Sequence, residues 1–257
     1  MELELKGRAV LVTGGSKGIG LACARAFLLE GAKVAIVSRE RANLDGAAAQ
    51  LPKVTTIVAD LTRAEDAARM AQAAERALGP IDVLVNSAGA ARRYLPDELN
   101  AQAWHAAMDA KYFTYIHAMD AVLPSMRGRR RGVVVNIIGT GGKVATPIHL
   151  PGGAANSALM LASVGLASVY GKFGVRVNAI NPGATMTGRI REGLALEAKA
   201  KGVTVEKVLE DGQSRVPLGR YAAPEDIAQV ALFLASELAA YVTGAIIPMD
   251  GGLNPII

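Results

Sequence analysis

The segment Thr13-Gly-Gly-Ser-Lys-Gly-Ile-Gly20 constrains this chain more than any other stretch. It follows the apolar run Ala9-Val-Leu-Val12 and precedes Leu21-Ala-Cys-Ala-Arg-Ala-Phe-Leu-Leu29, which reads as a helix. A strand that enters a glycine turn and leaves as a helix aims backbone N–H groups and a positive dipole end at one point. Such a point suits an anion, usually the pyrophosphate of a dinucleotide. The alternative is a tight βα turn that holds nothing, and the rest of the chain favours the nucleotide.

Short β-branched runs alternate with helical patterns almost to the end. Strands are expected at Ala9–Thr13, Lys33–Ser38, Val54–Val58, Val83–Asn86, Gly132–Ile138, Arg176–Ile180 and Ile246–Met249. Helices are expected over Leu21–Glu30, Arg63–Leu78, Ala101–Ser125, Ala155–Phe173 and Pro224–Ala235. Nearly continuous apolar strands alternating with helices imply a parallel sheet covered on both faces, an α/β protein. With no linker and no internal repeat, residues 1–257 read as a single domain. The charged, helical stretch Gly188–Val216 (188–216) is either a lid over the ligand or a surface excursion.

Composition excludes several classes. Hydrophobic residues make up 51% of the chain, enough for a large core, and disorder is not expected. Much of the net charge of +5 resides in Arg127-Gly-Arg-Arg-Arg131, a solvated loop or an anion site. No aromatic platform accompanies it, so no nucleic-acid partner is expected. Cys23 is the only cysteine, which rules out an internal disulfide and fits a reducing cytoplasm. Met1–Lys6 lacks the apolar run of a signal peptide. No stretch is read as approaching the roughly 18 apolar residues of a membrane span.

These motifs together resemble the short-chain dehydrogenase/reductase family over essentially the whole chain. Thr13, Gly14, Gly18 and Gly20 match its TGxxxGxG pattern, and Asp60-Leu61 resembles its adenine-contacting acid. Asn86-Ser-Ala-Gly89 is similar to its NNAG motif, with Ser87 in place of the second Asn. Asn181-Pro-Gly-Ala-Thr-Met-Thr187 resembles the segment beside the nicotinamide, and Tyr241-Val-Thr-Gly244 and Asp250-Gly-Gly252 fit the C-terminal end. The resemblance implies a Rossmann-type, doubly wound parallel sheet of seven strands in the order 3-2-1-4-5-6-7. It also implies a small carbonyl or alcohol substrate and a homotetramer built through the helices Ala101–Ser125 and Ala155–Phe173. Carried onto this sequence, the dinucleotide would meet Gly14, Ser16, Lys17, Gly18, Ile19, Gly20, Ser38, Arg39, Asp60 and Leu61. Further along it would meet Asn86, Ala88, Gly89, Pro182, Gly183, Thr185 and Thr187. Charge then selects the cofactor. An acid ending the second strand would repel a 2′-phosphate, but Ser38-Arg39 stands there and Lys17 lies in the glycine turn, so NADP(H) is expected.

The family's catalytic tetrad is replaced. Aligned on Arg176-Val-Asn178, the proton-transferring Tyr falls on Gly152, its partner Lys on Asn156 and the Ser on Gly139. Aligned on Trp104, the Asn falls on Lys111. Hydride transfer to a carbonyl develops alkoxide charge, and glycine offers no side-chain acid for it. The Asn-to-Lys and Lys-to-Asn exchange could keep an ammonium and an amide in one pocket, with Lys111 near the ribose. Alternatively the two changes are unrelated and Lys111 reaches solvent. His149 and Thr140 are the remaining candidates for an acid and a hydroxyl, against a surface His and a backbone-bonding Thr. Arg92, Arg93 and Tyr94 border the expected cleft and would attract an anion, or else are solvated or lie at a subunit interface. Three functions stay open: a reductase with relocated catalytic groups, a silent NADP(H)-binding sensor or oligomer partner (a pseudoenzyme), or a lyase or isomerase on this scaffold.

Overall fold

A computed structural model describes residues 2–51, 53–89 and 92–255, without the side chains of 196 and 200; Met1 of the N-terminal segment lies outside it. The glycine turn links strand β1 (Ala9–Thr13) to helix α1 (Gly18–Leu29). The chain continues through β2 (Lys33–Ser38), α2 (Arg41–Ala48), β3 (Thr55–Val58), α3 (Ala64–Leu78) and β4 (Val83–Asn86). It then forms α4 (Ala101–Ala107), a π turn over Met108–Phe113, α5 (Thr114–Gly128) and β5 (Gly132–Ile137). After α6 (Leu150–Gly171) and β6 (Val175–Pro182) come α7 (Gly188–Lys201), α8 (Val205–Gln213), α9 (Pro224–Ala235) and β7 (Ile246–Met249).

The strands pair in parallel in the expected order, β3-β2-β1-β4-β5-β6-β7. Alternation along each strand divides the core. Val10, Val12, Ile36, Val85 and Ile180 pack with Phe27 of α1 and Leu232 of α9. Leu11, Val37, Leu84, Val134 and Val177 face α3, α5 and α6. Burying a side chain such as Phe27 or Leu84 contributes roughly 1.5–3 kcal/mol. Cys23 belongs to this core; burial pushes its thiol up to about 12, so it packs and does not react.

Several boundaries differ from expectation. α2 was not anticipated, because Gly46 weakens a helix that Leu44 and Ala47 anchor by burial. α6 begins five residues before the expected Ala155, since Pro151 sits in its first turn with φ already suited to a helix. The expected helix Ala101–Ser125 is interrupted by the π turn and runs on to Gly128. β6 runs from Val175 to Pro182, beyond the expected Arg176–Ile180. The reading of possible membrane spans also needs correction: Pro147–Gly171 is long and apolar enough to cross one. Its interspersed Gly, Ser, Asn and His residues disguised the absence of charge. Its inner face, with Leu159, Met160 and Ala167, packs into the core.

The basic loop lies at the edge of the sheet opposite the glycine turn. Arg129 and Arg131, with Arg8, share Asp82 at 3.7–3.9 Å, and Arg130 donates to the Lys172 carbonyl.

A buried polar chain ties together the strand tips at the other edge. Thr13 Oγ1 donates to Asn86 Oδ1 (3.2 Å) and accepts from the N–H groups of Ser87 and Ala88. Asn86 Nδ2 donates to Asn136 Oδ1, and Asn136 Nδ2 to Ser163 Oγ, both at 2.9 Å. Thr13→Val keeps the shape but strands a buried carbonyl oxygen and two N–H groups. Urea unfolding should reveal a loss of about 1–3 kcal/mol with an unchanged slope. An unshifted midpoint would show that the chain of bonds is not needed.

Candidate active site

The strand order reverses between β1 and β4, and ligands of open α/β sheets bind in the crevice beyond such a switch point. The glycine turn stands on one side of it. No side chain caps the first turn of α1, so its N–H groups remain available as anion donors. Gly18 has φ +54, and a Cβ there would stand 3.2 Å from Thr187 Cγ2. The absence of that carbon leaves a cradle between the turn and the segment after β6. Gly14, Ser16, Ile19 and Gly20 complete the turn, with Lys17 exposed at its mouth. Ser38 ends β2 and the exposed Arg39 follows it, and among the described residues no carboxylate pairs with Arg39 or Lys17.

The other expected cofactor residues divide by what their side chains do. Asp60 uses Oδ1 on Thr62 N and Oγ1, in a turn that presents the acid beyond β3. Leu61 is core, and its carbonyl lies 3.0 Å from His117 Nδ1. Asn86 is fully buried with its amide turned into the sheet, so its side chain secures the strand tip. Ala88 and Gly89 carry the chain across the π turn. Pro182, Gly183, Thr185 and Thr187 form the opposite wall; Thr185 is buried and bridges to Ala222. The uncapped helix start, the glycine cradle and the two free cations together fit a phosphate-rich dinucleotide.

Beside this wall lies a cavity of about 90 Å³ lined by Gly89, Lys111, Ile138, His149, Gly152, Asn156 and Arg189. It contains both partners of the Asn–Lys exchange. Lys111 does not reach solvent: it is buried on the π turn, whose extra residue turns the side chain inward. Its Nζ donates to Tyr115 Oη (2.8 Å) and to the Ile137 carbonyl (3.2 Å), and lies 4.4 Å from the Tyr115 ring centre. Tyr115 itself is fully buried and donates to the same carbonyl. An ammonium has three protons to donate, and the third has no partner among the described residues. Burial, reinforced by the charge of Arg189, brings Lys111 down to about 7.

His149 ends the turn before α6. Its Nδ1 is buried without a hydrogen-bond partner among the described residues, as is Asn156 Oδ1. Burial lowers the His149 pKa, as do Arg93, Lys111 and Arg189. Thr140 starts a short turn at Thr140–Gly142 and is not among the described residues lining the cavity. Arg92 pairs with Glu98 at 3.1 Å and lies over Tyr94. Gly139 has φ +135 and ψ 147, a conformation essentially reserved for glycine. A serine cannot return there without moving the backbone.

Two functional residues escaped the sequence reading. Tyr115 was legible in principle, standing one helical turn from Lys111. Arg189, an exposed residue of a helix tip, carries no local signal.

Comparison with known proteins places this site in context. The family model described as enoyl-(acyl carrier protein) reductase matches residues 14–254. The chain is 35% identical over 261 residues to 2-(S)-hydroxypropyl-CoM dehydrogenase 3 of Xanthobacter autotrophicus, covering 100% of both proteins. L-sorbose reductase of Gluconobacter frateurii, solved with NADPH and L-sorbose, superposes with a TM-score of 0.95 at 27% identity over 100% of each chain. An NADPH-bound short chain oxidoreductase of Pseudomonas aeruginosa PAO1, described as containing an atypical catalytic center, superposes with a TM-score of 0.87. It is 32% identical, over 98% of this chain and 99% of that one.

A buried amine that titrates this low destabilises the fold while it is charged. The folded pKa of about 7 lies below the ordinary value of 10.5, so the penalty is full below pH 7 and fades as pH rises between the two. Lys111→Met keeps the Tyr115–Ile137 bond and removes the penalty. Its melting temperature should exceed that of the wild type at pH 6–7, with the gap narrowing toward pH 10. A gap independent of pH would contradict the assignment.

Proposed function

The chain belongs to the short-chain dehydrogenase/reductase family, and we propose that it is an NADP(H)-dependent carbonyl reductase in which Lys111 moves the proton. The observation that carries this reading is Lys111 Nζ at the cavity, held by two acceptors, with one proton uncommitted and a pKa near neutrality. NADP(H), held by the glycine turn with Lys17 and Arg39, would supply the hydride for the carbonyl carbon when bound. As the C=O π pair moves onto oxygen, Lys111 releases its third proton to that oxygen. The neutral amine keeps two N–H donors for Tyr115 and Ile137, and a proton from solvent restores the ammonium. The carbonyl becomes an alcohol, and the reverse direction uses the amine as base. A group half-protonated near pH 7 suits both directions. Asn156 adds an amide beside the reacting oxygen.

Lys17 and Arg39 support NADP(H) over NAD(H), as do the NADPH-bound structures of the two solved relatives. The helices α7 and α8, joined through Leu194, Ala198 and Val208, would act as the lid. Leu161, Val164 and Val169 on α6, with Trp104 and Phe113 before α5, are exposed and would give a homotetramer an apolar face. A second reading, dinucleotide binding without turnover, is favoured by the backbone at Gly139, which is not built for the family serine.

NADPH fluorescence followed by nicotinamide absorbance with a panel of carbonyl compounds separates the two readings. Lys111→Met and Lys111→Arg should lower kcat by about 100-fold or more, with NADPH affinity weakened less than about tenfold. NADPH bound but never oxidised would favour the silent reading. Arg39→Asp should shift preference toward NADH by at least about tenfold.

A further inference from the structure

The cavity beside Lys111 has a charge pattern that proton transfer alone does not require. Lys111 and Arg189 line it together with the imidazole of His149, and no carboxylate does so among the described residues. The three come from separate elements: the π turn, the first turn of α7 and the turn before α6. Arg93, on the loop after β4, adds its field at His149. Some arginines elsewhere have carboxylate partners among the described residues, while others, Arg39 among them, do not. Arg92 holds Glu98, Arg220 holds Asp226, and Arg8, Arg129 and Arg131 gather around Asp82. Arg189 has no described carboxylate partner, and it stands where the lid meets the cavity.

An arginine, a lysine and an imidazole brought together from three elements, partly out of water, hold one another's charge down until an anion joins them. An arginine fork there matches a planar carboxylate in particular. The half-open cavity of about 90 Å³ is well below the roughly 300–1,000 Å³ of a cleft for a whole ligand, so it seats one end of a molecule. The glycine turn already has its own donors and Lys17 for the pyrophosphate, which leaves Arg189 and His149 unassigned.

We infer that the cavity is an anion subsite in which Arg189, with His149, clamps a carboxylate or comparable oxyanion, making the substrate a keto acid or its hydroxy acid. The inference rests on the reductase reading for the carbonyl, but the anion subsite itself does not need turnover. Lys111 is faced by Tyr115 from α5, Asn156 from α6, His149 and Arg189. A bound anion stabilises the charged forms of Lys111 and His149, so binding takes up protons. Anion affinity should therefore rise as pH falls from about 8 to about 6.

The test is calorimetric titration with malonate, with uncharged malonamide for comparison, on the wild type and two variants. Malonate should bind and malonamide should not. Arg189→Ala should weaken malonate by about tenfold or more while NADPH affinity stays within about twofold. Arg191→Ala, an exposed neighbour on α7, should change neither. Malonate binding no tighter than malonamide would overturn the subsite. Equal loss of NADPH and malonate affinity in Arg189→Ala would also overturn it, by giving the arginine to the dinucleotide. Turnover of neutral carbonyls with a KM indifferent to Arg189 would remove the anionic substrate while leaving the reductase reading intact. Malonate binding as expected, with no keto acid ever reduced, would support the subsite and remove the proton-transfer reading.

Discussion

Lys111 Nζ is held 2.8 Å from the Tyr115 hydroxyl and 3.2 Å from the Ile137 carbonyl, in a pocket that excludes most water. An ammonium in such a place loses its hydration, and two acceptors and a ring face restore only part of it. The compromise is an amine that sheds its proton near neutrality. The π turn permits this, because one extra residue per turn swings the side chain from the helix surface to the interior. Gly152 and the short amide of Asn156 line the cavity beside this nitrogen and leave it space.

The frame that supports this nitrogen is conventional for the family. Thr13, Asn86, Asn136 and Ser163 lock the tips of β1, β4 and β5 to α6. The dinucleotide cradle and the cavity both hang from that locked edge, so they keep a fixed relation to each other. The cradle is built on glycines, and Gly139 at the tip of β5 has a φ of +135 that favours glycine. A serine restored there would disturb the scaffold before it helped the chemistry.

The strand order and both faces of the core were legible because buried parallel strands are short, apolar and β-branched. Helix limits were less so. Gly46 hid α2, and Pro151 with its following glycines looked like a loop until the packing of α6 is seen. The site was half legible. Motif spacing located Lys111, Asn156 and His149, and the fold brings all three to one cavity, but not Thr140. The side-chain amide of Asn86, a residue expected at the cofactor, is spent inside the sheet. Arg189 could not be found from spacing, because an exposed helix-tip arginine acquires meaning only when the fold sets it across from Lys111.

The protonation of Lys111 can be followed by direct titration. With lysine labelled in the side chain, NMR follows each amine against pH, and Lys111→Arg identifies the signal. Lys111 should titrate with a midpoint near 7. A midpoint in the ordinary lysine range, about 10.4, would show a permanently charged group and contradict its role in proton transfer.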